Sequence, residues 1–181
     1  MNTRNLLGMV LVGMLLAACN KPSSSVSAEN IESAASQAQQ TKLQTLTDDT
    51  QRIAVTVPDG FIALPANESG GDNITLLAQN AADDVTLYVT RAGALKTTPA
   101  QYFTRLGEVV KQQAAYREIK VGAATENRMN YQFAYGEDGE NTHESCMAVI
   151  DENNLYSVCA YSNTQPFETL AKYLKDVRIV K

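Results

Sequence analysis

The chain has 181 residues, which is enough for one domain built around one core. Fifteen Lys and Arg against 20 Asp and Glu give a formal net charge of −5 at pH 7, which excludes an electrostatic drive toward nucleic acid or anionic lipid headgroups. Three cysteines and a single histidine, His143, limit what metal or imidazole chemistry can be built.

The chain opens on five residues carrying one positive charge, Arg4, followed by residues 6–16, which hold no charge and only Gly8 and Gly13 as interruptions. That run is shorter than the about 20 apolar residues of a membrane span and has the layout of a secretory signal peptide. It ends in Leu16-Ala17-Ala18-Cys19. A small pair before a cysteine, with Leu three places upstream, resembles the lipobox of bacterial lipoproteins. The resemblance implies that residues 1–18 are removed and that Cys19 begins the mature protein, carrying acyl chains such as palmitate on its sulfur and its amine. Two or more chains anchor a protein stably where one does not. The remaining 163 residues hold 14 basic and 20 acidic side chains, a net charge of −6, so membrane contact is expected through the lipid alone.

Residues 19–49 are rich in Ser, Ala and Gln and poor in large apolar side chains, a composition that cannot offset the entropy of ordering. They read as a lipidated, disordered tether with a reach of ~30 Å. Ile31, Ala34, Ala35 and Ala38 have a helical spacing that would suit a transient helix.

The globular domain is expected over residues 50–181. In Ile53-Ala54-Val55-Thr56-Val57 the β-branched residues alternate, which marks a strand with one buried face, and Pro58-Asp59-Gly60 turns it. After an extended stretch at 61–64 and a Gly- and Asn-rich loop at 67–73, residues 74–79 and 85–90 flank Asn80-Ala81-Ala82-Asp83-Asp84 as a hairpin. Val85, Leu87 and Val89 share one face of its second strand. A helix follows, with Thr98 as cap, Pro99 in the first position and Gln101 completing a capping box. Tyr102, Phe103, Leu106, Val109, Val110 and Ala114 form its apolar stripe, which should cover a sheet.

Residues 118–123 read as extended, and Met129, Tyr131, Phe133 and Tyr135 recur at strict period two before the tip Gly136-Glu137-Asp138-Gly139. The aromatic stripe would serve either as core under a helix or as a ligand groove. With Cys19 committed to lipid, Cys146 and Cys159 remain as an even pair in an exported chain, which argues for a disulfide. A metal site or free thiols are the alternatives, although two Cys and one His fall short of a tetrahedral zinc set. A hairpin turning about Glu152 and Asn153 pairs residues whose numbers sum to 305 and so sets Cys146 directly against Cys159, whereas a G1-type bulge in the turn would slip the register by one and break that facing. The bond would close a loop of about 14 residues and contribute roughly 3 kcal/mol in the chain-entropy model. Both faces of this hairpin are apolar, which places it centrally in the sheet. A second helix after Pro166, with Phe167, Leu170, Ala171 and Leu174 on one face, and a short strand at 177–180 close the chain. The fold class is therefore α+β, one antiparallel sheet flanked by helices.

Catalytic motifs are missing: there is no G-x-S-x-G elbow, P-loop, dinucleotide fingerprint or H-E-x-x-H. His143 stands beside Glu144 and Ser145, and strand neighbours point to opposite faces, which argues against a local triad. The carboxylates at Asp83-Asp84, at Glu137-Asp138 with Glu140, and at Asp151-Glu152 read as solvated turn tips, with no EF-hand spacing. Met129, Met147 and His143 are a conceivable copper set that no spacing brings together. No cofactor or metal is expected.

The lipobox, the polar tether, the V-P-D-G-F-x-A-L-P-A opening at residues 57–66, the two hairpins with a central helix, and the ending Thr169-Leu170-Ala171-Lys172-Tyr173-Leu174-Lys175-Asp176-Val177-Arg178-Ile179-Val180 together resemble the DcrB family of bacterial envelope lipoproteins. That resemblance implies a PsbP-like α/β/α sandwich. It also implies a non-enzymatic accessory role in the Gram-negative cell envelope, where members are linked to lipoprotein maturation and phage uptake. Family members lack the Cys146 and Cys159 pair, and they carry Asp after the lipidated cysteine, an inner-membrane retention signal in enteric bacteria, where this chain has Asn20 and Lys21. The expectation is therefore an outer-membrane, periplasm-facing lipoprotein that binds other envelope proteins. The alternative is a surface-displayed ligand- or host-binding lipoprotein.

Overall fold

The computed structural model describes residues 42–65, 73–137 and 140–181. The signal peptide, Cys19, the tether up to residue 41, most of the loop at 67–73, and Asp138 and Gly139 of the tip lie outside the described residues. Among the described residues no helix is long and apolar enough to cross a membrane.

Among the described residues, ten strands and two helices follow in the order β1 Leu43–Thr47, β2 Ile53–Pro58, β3 Ile62–Leu64, β4 Ile74–Asn80, β5 Val85–Ala94, α1 Pro99–Gln112, β6 Arg117–Val121, β7 Arg128–Tyr135, β8 Thr142–Asp151, β9 Asn154–Ser162, α2 Phe167–Tyr173 and β10 Val177–Ile179. Where one sheet was expected there are two, both antiparallel: β1-β2-β10, and the seven-stranded β3-β4-β5-β9-β8-β7-β6. The chain leaves β5 at mid-sheet, passes through α1 to the far edge at β6, and returns by a meander until β9 pairs with β5.

Strand β1 falls inside the stretch expected to be tether, so ordered structure begins before residue 50. Its sequence hides it, because Gln44, Thr45 and Thr47 are polar and only Leu46 packs on the core. What fixes it is the turn: the buried Asp48 carboxylate accepts from the amides of Arg52 and Ile53, both at 2.8 Å, and from the Thr50 hydroxyl. Gly60, at φ +111°, makes the turn after β2 in a backbone region that disfavours other residues.

Side-chain alternation divides the large sheet into two faces. On β8, Met147 and Val149 enter one core with Leu87, Val158, Leu170 and the small sheet's Val55, whereas Cys146, Ala148 and Ile150 face α1. The layers are therefore α1, the large sheet, and α2 with the small sheet. The capping box at Thr98 and Gln101 forms with Pro99 in the first turn. Phe103 and Val110 of the expected stripe are buried, whereas Val109 is 48% exposed and Ala114 lies beyond the helix end. Strands β8 and β9 pair in the expected register, Cys146 against Cys159, near the middle of the sheet.

Candidate functional site

The site with the most unusual chemistry lies under α1. Period-two alternation along β7 sends Tyr131, Phe133 and Tyr135 to that face, and Tyr88 of β5 and Tyr116, just after α1, join them. Tyr116 stacks on Phe133 with centroids 3.9 Å apart and planes 13° apart. Tyr131 lies nearly parallel to Phe133 at 6.2 Å, and its hydroxyl shares a 2.9 Å hydrogen bond with Ser157 Oγ. Leu106 and Val110 of α1 complete the walls of a cavity of about 540 Å³, with the exposed Val109 and Gln113 at its margin.

Beneath the rings lie Glu144 and the disulfide joining Cys146 and Cys159, whose Cα atoms are 4.1 Å apart. Strand alternation puts Glu144 on this face, two residues before Cys146. It is 6% exposed and accepts a hydrogen bond from the Tyr88 hydroxyl on Oε1. Burial raises its pKa, against a lowering by hydrogen bonds with Tyr88 and Tyr135. Burial likewise pushes the phenols of Tyr131 and Tyr135 up to about 12, with the Glu144 charge adding to the effect. Glu144 and the two sulfurs bring donor atoms within 4.8 Å of one another, but the sulfurs are bonded to each other and offer no thiolate. The metal-site and free-thiol alternatives for the cysteine pair fall with that bond.

The residues singled out in the sequence mostly serve as links within the fold. His143 lies on the α2 side of β8, its ring 4.6 Å from that of Phe167. Its Nδ1 donates to the Gln165 carbonyl at 2.8 Å, which leaves Nε2 to accept from the Asn141 amide at 2.9 Å; the ring is therefore assigned as the neutral Nδ1-protonated tautomer. Asp83 accepts from Asn80 at 2.8 Å and from the Tyr173 hydroxyl at 3.3 Å, and Asp84 accepts from Ser162 and Thr164. Asp151 departs from the expected solvated tip: it is 5% exposed and pairs with Arg52 at 2.6 Å, while Glu152 meets the same guanidinium at 3.1 Å. The pairing ties the β8–β9 turn to the small sheet. Glu137 and Glu140 are exposed. Met129 packs under α1 and Met147 in the opposite core, so the sheet separates the two thioethers.

A second opening of about 520 Å³ near α2 is lined by Gln132, Met147, Leu174 and Lys175, and the Gln132 Nε2 is buried without a hydrogen-bond partner. It holds no buried ionisable group comparable to Glu144. Sequence reading treated Glu144 only as a neighbour of His143. Counting back two residues from Cys146 on the same strand face would have placed it under the rings.

No family model and no curated protein matches this sequence. Among solved structures, the cyanobacterial PsbP protein CyanoP from Synechocystis is similar with a TM-score of 0.52 and 11% identity, over 82% of this chain and 98% of that one. The Saccharomyces cerevisiae Ran-binding protein Mog1p gives 0.55 and 8% identity, over 78% and 97%. LpqN of Mycobacterium tuberculosis, described as involved in cell envelope biogenesis, gives 0.54 and 13%, over 77% and 91%. At such identities the likeness is one of fold, and it establishes the PsbP-like architecture of this chain.

Proposed function

We propose that this chain is a lipid-anchored, non-enzymatic accessory protein of the bacterial cell envelope, related to the DcrB family, that works by binding other proteins through its sheet-and-helix domain. The observation that carries the binding reading is the aromatic-walled opening between α1 and the large sheet, with exposed Val109 at its margin. Preformed apolar openings with a few polar groups on a rigid scaffold are how binding sites are commonly built. His143 and the acidic turns at Asp83-Asp84 and Asp151-Glu152, which a hydrolytic mechanism would need free, are engaged in hydrogen bonds and ion pairs within the fold. The lipobox at Cys19 and the description of LpqN as an envelope-biogenesis protein support the envelope setting. Asn20 and Lys21 in place of an Asp retention signal support the outer membrane, with the domain facing the periplasm.

Crosslinking in intact envelopes followed by affinity capture tests the binding role. Wild type should recover a specific partner that Val109→Glu loses, and equal recovery by both would place the interface elsewhere. Digestion of the domain by protease added to unbroken cells would overturn the periplasmic orientation. It would favour surface display and ligand binding, the reading that draws on the cavity itself.

A further inference from the structure

We infer that the cavity under α1 is a binding site for an alkylammonium group, received among the rings of Tyr116, Tyr131 and Tyr135 with the Glu144 carboxylate as its counter-ion. This goes beyond the envelope role and holds whichever membrane the chain occupies.

Three carboxylates are buried among the described residues, and they are satisfied differently. Asp151 has the Arg52 guanidinium, and Asp48 has two backbone amides at 2.8 Å. Glu144 has no cation: none of the ion pairs among the described residues includes it, and the cavity lining contains no Lys or Arg. Buried carboxylates are normally paired or neutralised, because an uncompensated charge in an apolar site is costly. This one sits at an opening rather than in sealed core.

The walls define what completes the pair. Ring faces attract cations, and sites for alkylated ammonium groups are built from several such rings around a carboxylate. An anion would meet Glu144 and find no basic partner. A hard metal ion takes six or more oxygens, and here one carboxylate stands beside sulfurs locked in a disulfide. An alkylammonium group suits both halves, since its carbon surface matches the rings and its charge matches the acid. The groups facing Glu144 are Tyr88 of β5, Tyr131 and Tyr135 of β7, Tyr116 after α1 and Tyr161 of β9, so none supplies a competing positive charge. Burial shifts Glu144 toward its protonated form in the empty site and a neighbouring cation shifts it back toward the carboxylate, so binding is linked to release of protons to solvent.

The test uses the full-length protein in an uncharged detergent, titrated with choline by calorimetry at constant ionic strength in two buffers of different ionisation enthalpy. Expected are saturable binding, a heat that depends on the buffer because a proton is released, and affinity lowered about tenfold or more in Glu144→Gln, whose neutral amide cannot pair with the cation. Tyr135→Leu, which removes a partly exposed ring and its hydrogen bond to Glu144 but keeps the carboxyl itself, should also weaken binding and guards against misfolding of the first variant. The neutral alcohol in which carbon replaces the choline nitrogen should bind far more weakly. Repeating the titration with an N-acetylated lysine amide separates sources: tighter binding of that probe assigns the ammonium group to a polypeptide side chain, and tighter binding of choline assigns it to a free quaternary amine. Absence of saturable choline binding, equal affinity for the neutral alcohol, or unchanged affinity in both variants overturns the inference.

Discussion

The two faces of the large sheet are made of different materials. Toward α2 and the small sheet, Val55, Val85, Leu87, Val89, Val158 and Leu170 are all fully buried, a mainly aliphatic layer between two β-layers that also takes in Phe61, Tyr156 and Tyr173. Toward α1 the sheet offers tyrosines, a disulfide, a buried acid and a cavity of about 540 Å³. Close-packed aliphatic side chains gain dispersion and exclude water, whereas an open aromatic face with an acid gives up part of that gain for recognition. The first face carries most of the buried aliphatic core, with its own opening of about 520 Å³ beside α2, and the second carries the cavity that we propose receives a ligand.

The contrast can be broken by matched truncations. Leu87→Ala removes a fully buried side chain from the aliphatic core and should cost about 2–5 kcal/mol of unfolding free energy in urea. Leu106→Ala, at a half-buried wall of an existing cavity, should cost under about 2 kcal/mol. Equal costs would show that the two faces are packed alike. Next in size, reducing the Cys146–Cys159 bond should lower stability by roughly 3 kcal/mol, because the central hairpin of the sheet loses its staple. An unchanged melting temperature on reduction would mean that β8 and β9 are held by the ladder alone. Smaller again, Thr98→Ala removes the side-chain cap of α1 and should cost about 1 kcal/mol in thermal unfolding. It should leave the chemistry beneath the helix intact, and a larger loss would mean that α1 stabilises the sheet more than its three buried residues imply.

The most local features were the most legible. The capping box, the Val85-Leu87-Val89 face and the pairing rule of the β8–β9 hairpin all follow from residues within about one turn or one hairpin of each other. The apolar character of both hairpin faces placed it at mid-sheet without any long-range information. Strand β1 was missed because an edge strand of Gln and Thr has no buried face to advertise, and its anchor, Asp48, acts through backbone amides. The small sheet was missed for a related reason, since β2 and β10 are brought together from opposite ends of the domain. The candidate site was half legible: the period-two aromatics were visible, but their acid was not. Glu144 becomes a buried acid without a counter-ion only when α1 crosses over it and Tyr88, 56 residues away, meets its carboxyl group. Asp151 was misread as a solvated tip because its partner, Arg52, lies 99 residues away.

The central claim is that Glu144 is a buried acid without a counter-ion, and the pH dependence of stability tests it directly. A carboxyl whose pKa is raised on folding contributes stability that is fully present below its unfolded value, about 4.3 for Glu, and lost as pH rises through the folded value. Unfolding free energies of wild type and Glu144→Gln, measured from pH 4 upward without added amine, isolate that contribution, since every other titrating group is common to both proteins. The account predicts that wild type loses stability relative to the variant as pH rises and then runs parallel to it, and that choline restores part of the loss. Parallel curves across the whole range would contradict it, because Glu144 would then ionise in the folded chain as freely as in the unfolded one.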